Sequence, residues 1–208
     1  MIDEPFGFPR MATLIPEGKR GSAEVRHVTA STHDSQMSAL KGGANYIQPG
    51  TYAQLWVNGK LMMSDTRYER ISNLEVVRQA HGKVLIAGLG LGMILKPILA
   101  KPSVTSVWVM EKEDDVIGLI WPHVEHPKLD VRKADIFTWN PPKSDGPWNC
   151  IYFDIWPDHT TDNLPEMAKL HQKYKYYLDR TDPYCWMGSW ERDTLRSQKR
   201  KEKALGLW

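Results

Sequence analysis

The sequence predicts an α/β fold: a mostly parallel sheet with helices on both faces, preceded by a small β-hairpin region. Three observations carry that expectation. Val84 to Met93 reads VLIAGLGLGM, a short apolar run that empties into Gly88, Gly90 and Gly92. A buried strand ending in glycines ahead of a helix brings bare backbone N–H groups close to a nucleotide-like ligand. A second apolar run, Ser106 to Met110, ends in Glu111, 23 residues past Gly88. An acid at the tip of a second strand is placed to accept both ribose hydroxyls. From Lys83 onward strands alternate with helices, the order that builds a parallel sheet. Together these make the expected fold Rossmann-like.

Residues 1–21 are rich in Pro, Gly and charge and read as an irregular lead. Ala23 to Thr29 alternates as a strand. Ser31 to Gly50 is polar and reads as loop or a short helix. Tyr52 to Val57, Asn58-Gly59 and Lys60 to Ser64 form a hairpin, because Asn-Gly suits a two-residue turn with positive φ. Arg67 to Gln79 is helical and Gly82 stops it. Strand Lys83 to Ala87 leads into helix Gly92 to Ala100, where Pro97 sits early enough to be tolerated. Strand Ser106 to Met110 precedes helix Glu113 to Ile120, and strand Leu129 to Arg132 precedes Ala134-Asp135. Asn140 to Pro147 is loop. Strand Trp148 to Phe153 ends in Asp154, helix Asn163 to Leu178 follows, then strand Tyr184 to Trp190 and helix Glu191 to Leu205. Two regions result: residues 1–66, the irregular segment and hairpin, and residues 67–208, the ligand-binding domain.

A chain of 208 residues is long enough to bury a real core. Its formal charge of +2 excludes a polyanion binder in which the whole surface takes part. Nine Trp residues fill cores or line clefts. Cys150 and Cys185 lie in apolar runs and read as buried free thiols in a reducing compartment. The start carries Asp3, Glu4 and early prolines with no apolar h-region, so no signal peptide is expected. The stretch from Val84 to Leu95 is too short and glycine-rich to span a bilayer, so a cytoplasmic protein without membrane contact is expected. His123, Glu125 and His126 read as proline-bounded loop, and no metal site is expected.

Ligands in such sheets bind outside the carboxyl ends of the strands. Four strand ends carry suitable groups here: the glycine turn, Glu111, Asp135 and Asp154. In that order they resemble the site of class I S-adenosylmethionine (SAM)-dependent methyltransferases, and most closely the spermidine synthase-like branch. VLIAGLGLGM resembles that family's first strand and glycine loop, and KPSVTSVWVMEKEDDVI (Lys101 to Ile117) its second-strand segment. KADIF (Lys133 to Phe137), YFDIWPD (Tyr152 to Asp158) and LWVNGKLMMSD (Leu55 to Asp65) resemble the adenine-binding segment, the catalytic-aspartate segment and the preceding hairpin. The resemblance implies a SAM or decarboxylated-SAM cofactor. Gly88, Gly90 and Gly92 would hold its amino-acid portion, Glu111 the ribose, and Asp135 with Ile136 the adenine. Asp154, helped by Trp156, would orient the acceptor. Tyr152 points either way, and Asp158 and His159 read as a loop pair.

Leu91 stands where the family's loop carries an aspartate, Asp65 to Glu69 is shorter than the family's acidic gate, and only 54 residues follow Asp154. A shortened C-terminal end is therefore expected. These departures favour a methyltransferase with an unidentified acceptor. Aminopropyl transfer to a polyamine is the alternative, and a non-catalytic nucleotide-binding module is another. A count of carboxylates in the cleft separates the two transferases. The last helix holds six basic residues from Arg192 to Lys203, and Leu195, Ala204 and Leu205 are expected to form a stripe that covers the sheet. A polyanion contact through that helix and a homo-oligomer are the partners considered.

Overall fold

The computed structural model describes residues 7–41, 46–142 and 144–206. Asp3, Glu4, part of the stretch 31–50, and Trp208 lie outside them. Two sheets share the chain. The first is antiparallel, in the order β1 (Gly18–Arg20), β2 (Ala23–Ala30), β3 (Gly50–Val57), β4 (Lys60–Ser64). The Asn58-Gly59 turn has positive φ at both residues, as the hairpin reading required. β1 lies in the segment expected to be irregular. Three polar residues carry no strand pattern of their own, and pairing with β2 recruits them. Residues Thr32–Lys41 form α1.

The second sheet is parallel at every pairing: β7 (Leu129–Lys133), β6 (Val104–Glu111), β5 (Gly82–Ala87), β8 (Cys150–Phe153), β9 (Trp186–Ser189). In chain order this is 3-2-1-4-5, a Rossmann-like topology in which the direction of winding reverses at the central strand β5. β5 is apolar and buried from Val84 to Ala87, where both its faces are covered. Val84 and Ile86 face the core shared with the hairpin sheet, α4 (Leu95–Leu99) and α5 (Asp114–Ile120). Leu85 and Ala87 face the other core, under α6 (Leu164–Tyr174). Trp148 fills this second core, edge-on to Trp108 and Trp139. No helix among the described residues is long and apolar enough to cross a membrane.

Several helices differ from expectation, each for a local reason. Residues 67–79 break at Asn73 into α2 (Arg67–Ser72) and α3 (Leu74–Gln79). The Asn73 side chain is drawn to the Tyr152 hydroxyl, which donates to its Oδ1 at 2.9 Å. α4 starts at Leu95, not Gly92, because the glycine turn holds the chain until then. α6 ends at Tyr174, not Leu178. Beyond it the chain turns back to pair with Trp148, whose N–H donates to Tyr177 O and whose carbonyl accepts from Asp179 N. α7 (Arg192–Ala204) buries only Leu195. Leu205 is 74% exposed and Ala204 is exposed too, so the expected covering stripe reduces to one side chain. Both cysteines are free. Cys150 is buried, which pushes its thiol up to about 12, and Cys185 is half-buried.

A latch closes the far end of the sheet. His81 places its ring nitrogens 2.7 Å from Gln79 O and 2.7 Å from Asp182 Oδ2, two acceptors that favour the doubly protonated ring. Burial opposes the charge, but these bonds outweigh it and raise the His81 pKa. The stabilisation is therefore complete below the unfolded value near 6.5 and fades as pH rises through the raised folded value. His81→Gln should lower the melting temperature by roughly 2–4 °C at pH 6, for a loss of about 1 kcal/mol, and by less at pH 9. Equal losses at both pH values would contradict a charged latch.

Candidate active site

The backbone ladders run on past the strands and assemble the site. Gly88 N donates to Met110 O at 2.9 Å, Ala134 N to Glu111 O at 2.8 Å and Asp154 N to Ala87 O at 2.9 Å. The carboxyl ends of β5, β6, β7 and β8 thus converge on one cleft of about 510 Å³, a size that suits a small molecule. Gly88, Gly90, Glu111, Asp135, Ile136, Asp154 and Trp156 all line it. Gly92 does not. It lies on a second groove beside Val124, lined also by His123, Glu125 and His126.

Gly88 has φ of 97°, and a Cβ there would stand 2.0 Å from the Asp154 carbonyl. That residue must be glycine for β5 and β8 to end side by side, whatever binds. At Gly90 a Cβ would meet the Met63 sulfur of β4. The same sulfur accepts the Leu91 N–H at 3.1 Å. The hairpin therefore closes over the glycine turn. The Leu91 side chain is fully buried in the core and does not face the cleft.

Glu111 is 8% exposed. Its Oε2 accepts Leu89 N and its Oε1 accepts Glu113 N, both at 2.8 Å. Burial raises its pKa and these N–H bonds oppose the rise. Glu111 pins the glycine turn to the second strand and keeps further lone pairs for a ligand. Asp135 caps the turn after β7 by accepting Phe137 N at 2.9 Å through Oδ1, while Oδ2 lies 4.0 Å from Lys112 Nζ. Trp156 is nearly buried, and its indole N–H donates to Glu166 Oε2 of α6 at 2.8 Å, which fixes the ring as a cleft wall. Trp190 forms another wall, tied through Nε1 to Ser72 Oγ at 2.9 Å.

At the Asp154 end of the cleft the fold adds two groups the sequence did not point to, Glu69 and Asn73. Asp154 and Glu69 of α2 line the same end, close enough for the Asp154 charge to act on Glu69, and Asn73 bonds both Asp154 and Tyr152. Asn73 hydrogen-bonds Asp154, donates to Glu69 O at 3.1 Å and accepts from Tyr152, so Tyr152 points inward and orients the amide. Burial pushes Asp154 up to about 7, against the pull of Asn73. Burial and then the Asp154 charge push Glu69 up to about 8, with Glu191 adding to the field. Glu191 also lies 3.5 Å from His159 Nε2. Asp158 sits outside this group, 2.5 Å from Lys60 of the hairpin turn. Asp65 is fully buried and accepts Met11 N and Ala53 N, so it pins the lead segment and does not gate the cleft. Among the lining residues Glu69, Glu111, Glu113, Asp135, Asp154 and Glu166 are acids, and Lys112 is the sole Lys or Arg.

The strand order and the glycine turn at the first parallel strand decide the fold class. The fold is Rossmann-like, with a five-stranded parallel sheet in the order 3-2-1-4-5. No protein-family model matches this sequence, and no curated protein matches it. Solved structures do match in shape. Spermidine synthase from Thermotoga maritima is similar at 15% identity and a TM-score of 0.47, over 79% of this chain and 52% of that one. A spermidine synthase in complex with the transition-state analogue AdoDATO gives 15% identity and a TM-score of 0.48, over 79% and 54%. The N-methyltransferase NodS from Bradyrhizobium japonicum gives 12% identity and a TM-score of 0.42, over 55% and 65%. The chain spans about half the length of the spermidine synthases it matches. Each is a likeness of fold.

Proposed function

We propose that the cleft binds an adenosyl sulfonium donor of the SAM type and transfers an alkyl group from it to an amine. The observation that carries this reading is the Asp154–Glu69 pair, two carboxyls whose pKa values are both raised at one end of an acidic cleft. Two neighbouring carboxyls that resist ionising together gain most from a cation set between them. An ammonium acceptor is such a cation. The donor's fit is supported by a buried Glu111 whose two oxygens already face bound N–H groups at the second strand's tip, and by Asp135 with one oxygen directed away from its cap. Glu111 would hold the ribose, Asp135 and Ile136 the adenine, and the Gly88–Gly90 turn the donor's tail. When bound, the donor supplies an electrophilic carbon on a positively charged sulfur.

The chain's own task is to align and to deprotonate. Asp154, with a pKa of about 7, accepts a proton from the amine at its carboxylate near neutral pH. Glu69 holds the ammonium beside it, and Asn73 fixes the Asp154 carboxylate while Tyr152 fixes Asn73. Trp156 and Trp190 wall out water.

The carboxylate count favours aminopropyl transfer over methyl transfer. A tail carboxylate would meet Asp154 and Glu69, while Lys112, the one Lys or Arg lining the cleft, is set against Asp135, whereas a decarboxylated tail adds no negative charge. The sequence-level reason for methyl transfer, a missing acid at Leu91, loses its force because that side chain is buried. One feature favours intact SAM: Leu91 N–H is held only by the weak acceptor Met63 Sδ, which a carboxylate could displace. Initial rates with SAM and with decarboxylated SAM, each with putrescine, decide between them. The expected result is at least a tenfold preference for the decarboxylated donor, with methylthioadenosine as product. S-adenosylhomocysteine as the main product would establish methyl transfer. Donor binding without turnover of any amine would leave the non-catalytic module.

A further inference from the structure

α7 leaves the rim of the cleft, directly after Trp190 and Glu191, and Leu195 is its one buried side chain. Four of its six basic residues share one line. Arg192, Arg196, Lys199 and Lys203 follow i, i+4, i+7, i+11 spacing, which puts them on one line about 16 Å long. The line is electrostatically crowded. Burial and then the Arg196 charge lower the pKa of Arg192. Burial, Arg192 and Arg196 press the nearby His171 of α6 down to about 4. The acids on the helix are Asp193 and Glu202 against six bases, and Asp193, 96% exposed, stands 3.9 Å from Arg196. A helix that served only as cover would not gather like charges in a row at a cost to its own anchoring end.

We infer that this row is a docking surface for the phosphate backbone of a nucleic acid. A strand of nucleic acid offers negative charges at regular intervals along a line, which complements a straight row of cations. The rest of the helix surface carries Thr194, Ser197, Gln198, Arg200 and Lys201, so no apolar face exists to enter a lipid surface. The cleft is acidic, so the nucleic acid lies along α7 outside it and is not the group acceptor. This inference does not depend on the transfer reaction.

Fluorescence anisotropy of the full chain with a labelled 20-nucleotide single-stranded RNA, and with a DNA duplex of equal length, tests it. Binding is expected at low salt, with log K falling against log salt at a slope of about −3 for the single strand. The triple variant Arg196→Gln, Lys199→Gln, Lys203→Gln should lose at least tenfold in affinity and about two units of slope, while its melting temperature and donor binding stay unchanged. Arg196→Lys should keep the affinity. Absence of binding at low salt, an unaffected triple variant, or tighter capture by phosphatidylglycerol vesicles or polyglutamate would overturn the inference.

Discussion

Asp154→Asn is expected to cut transfer by about 10²–10⁴-fold while making the protein harder to melt at pH 8. Both effects have one cause. The folded molecule holds the Asp154 proton until about pH 7, whereas an unfolded chain releases it near 3.8. Across that window the native state binds more protons, so stability falls as pH rises. Asn carries no charge and keeps the bond to Asn73, so the penalty vanishes in the variant. Because the carboxyl opens onto the cleft, solvent discounts the gain to about 1–2 kcal/mol, or roughly 3–6 °C at pH 8. At pH 4 wild type and variant should melt together. The wild-type rate should rise with pH through about 7 as Asp154 loses its proton. Glu69→Gln should raise the KM for the amine more than it lowers kcat. An Asp154→Asn variant that turns over normally would remove Asp154 from the chemistry.

Glu111→Ala is expected to weaken the donor by about 1.5–3 kcal/mol, roughly 10- to 150-fold in Kd. It should also lower the melting temperature, because Leu89 N and Glu113 N each lose a buried acceptor. Glu111→Gln separates the two roles. It keeps one acceptor oxygen for the loop but loses the charge, so it should recover most of the stability and little of the affinity. Titration calorimetry and thermal melting of both variants read this directly. Unchanged affinity in a folded Ala variant would end the ribose assignment.

The parallel sheet was legible because its signals are local. A short apolar run such as Val84 to Ala87 that ends in glycines suits a strand covered on both faces, and whatever follows such a strand lies at the sheet's carboxyl edge. Glu111, Asp135 and Asp154 were readable as strand-end acids for that reason, and all three line the cleft. Gly92 was grouped with Gly88 and Gly90 by spacing, but the chain has already turned away by that point. Leu91 was judged by its place in a loop pattern, and only the turn's geometry reveals that its side chain is buried. Glu69 and Asn73 were not legible. They join the site through contacts such as Asn73 to Tyr152, 79 positions apart, and a helix break that no breaker residue announces. The sequence alone therefore shows less of the acid that the fold gathers in the cleft. The basic row on α7 was visible as composition. That it stands clear of the sheet followed only from the exposure of Ala204 and Leu205.

Calorimetric titration of the wild-type protein with SAM, decarboxylated SAM and their thioether products tests the central claim most directly. The account predicts saturable one-site binding of at least one of these nucleosides, weakened by Glu111→Ala, with decarboxylated SAM tighter than SAM at pH 8. Absence of binding by all of them to folded protein would contradict an adenosyl sulfonium site in this cleft.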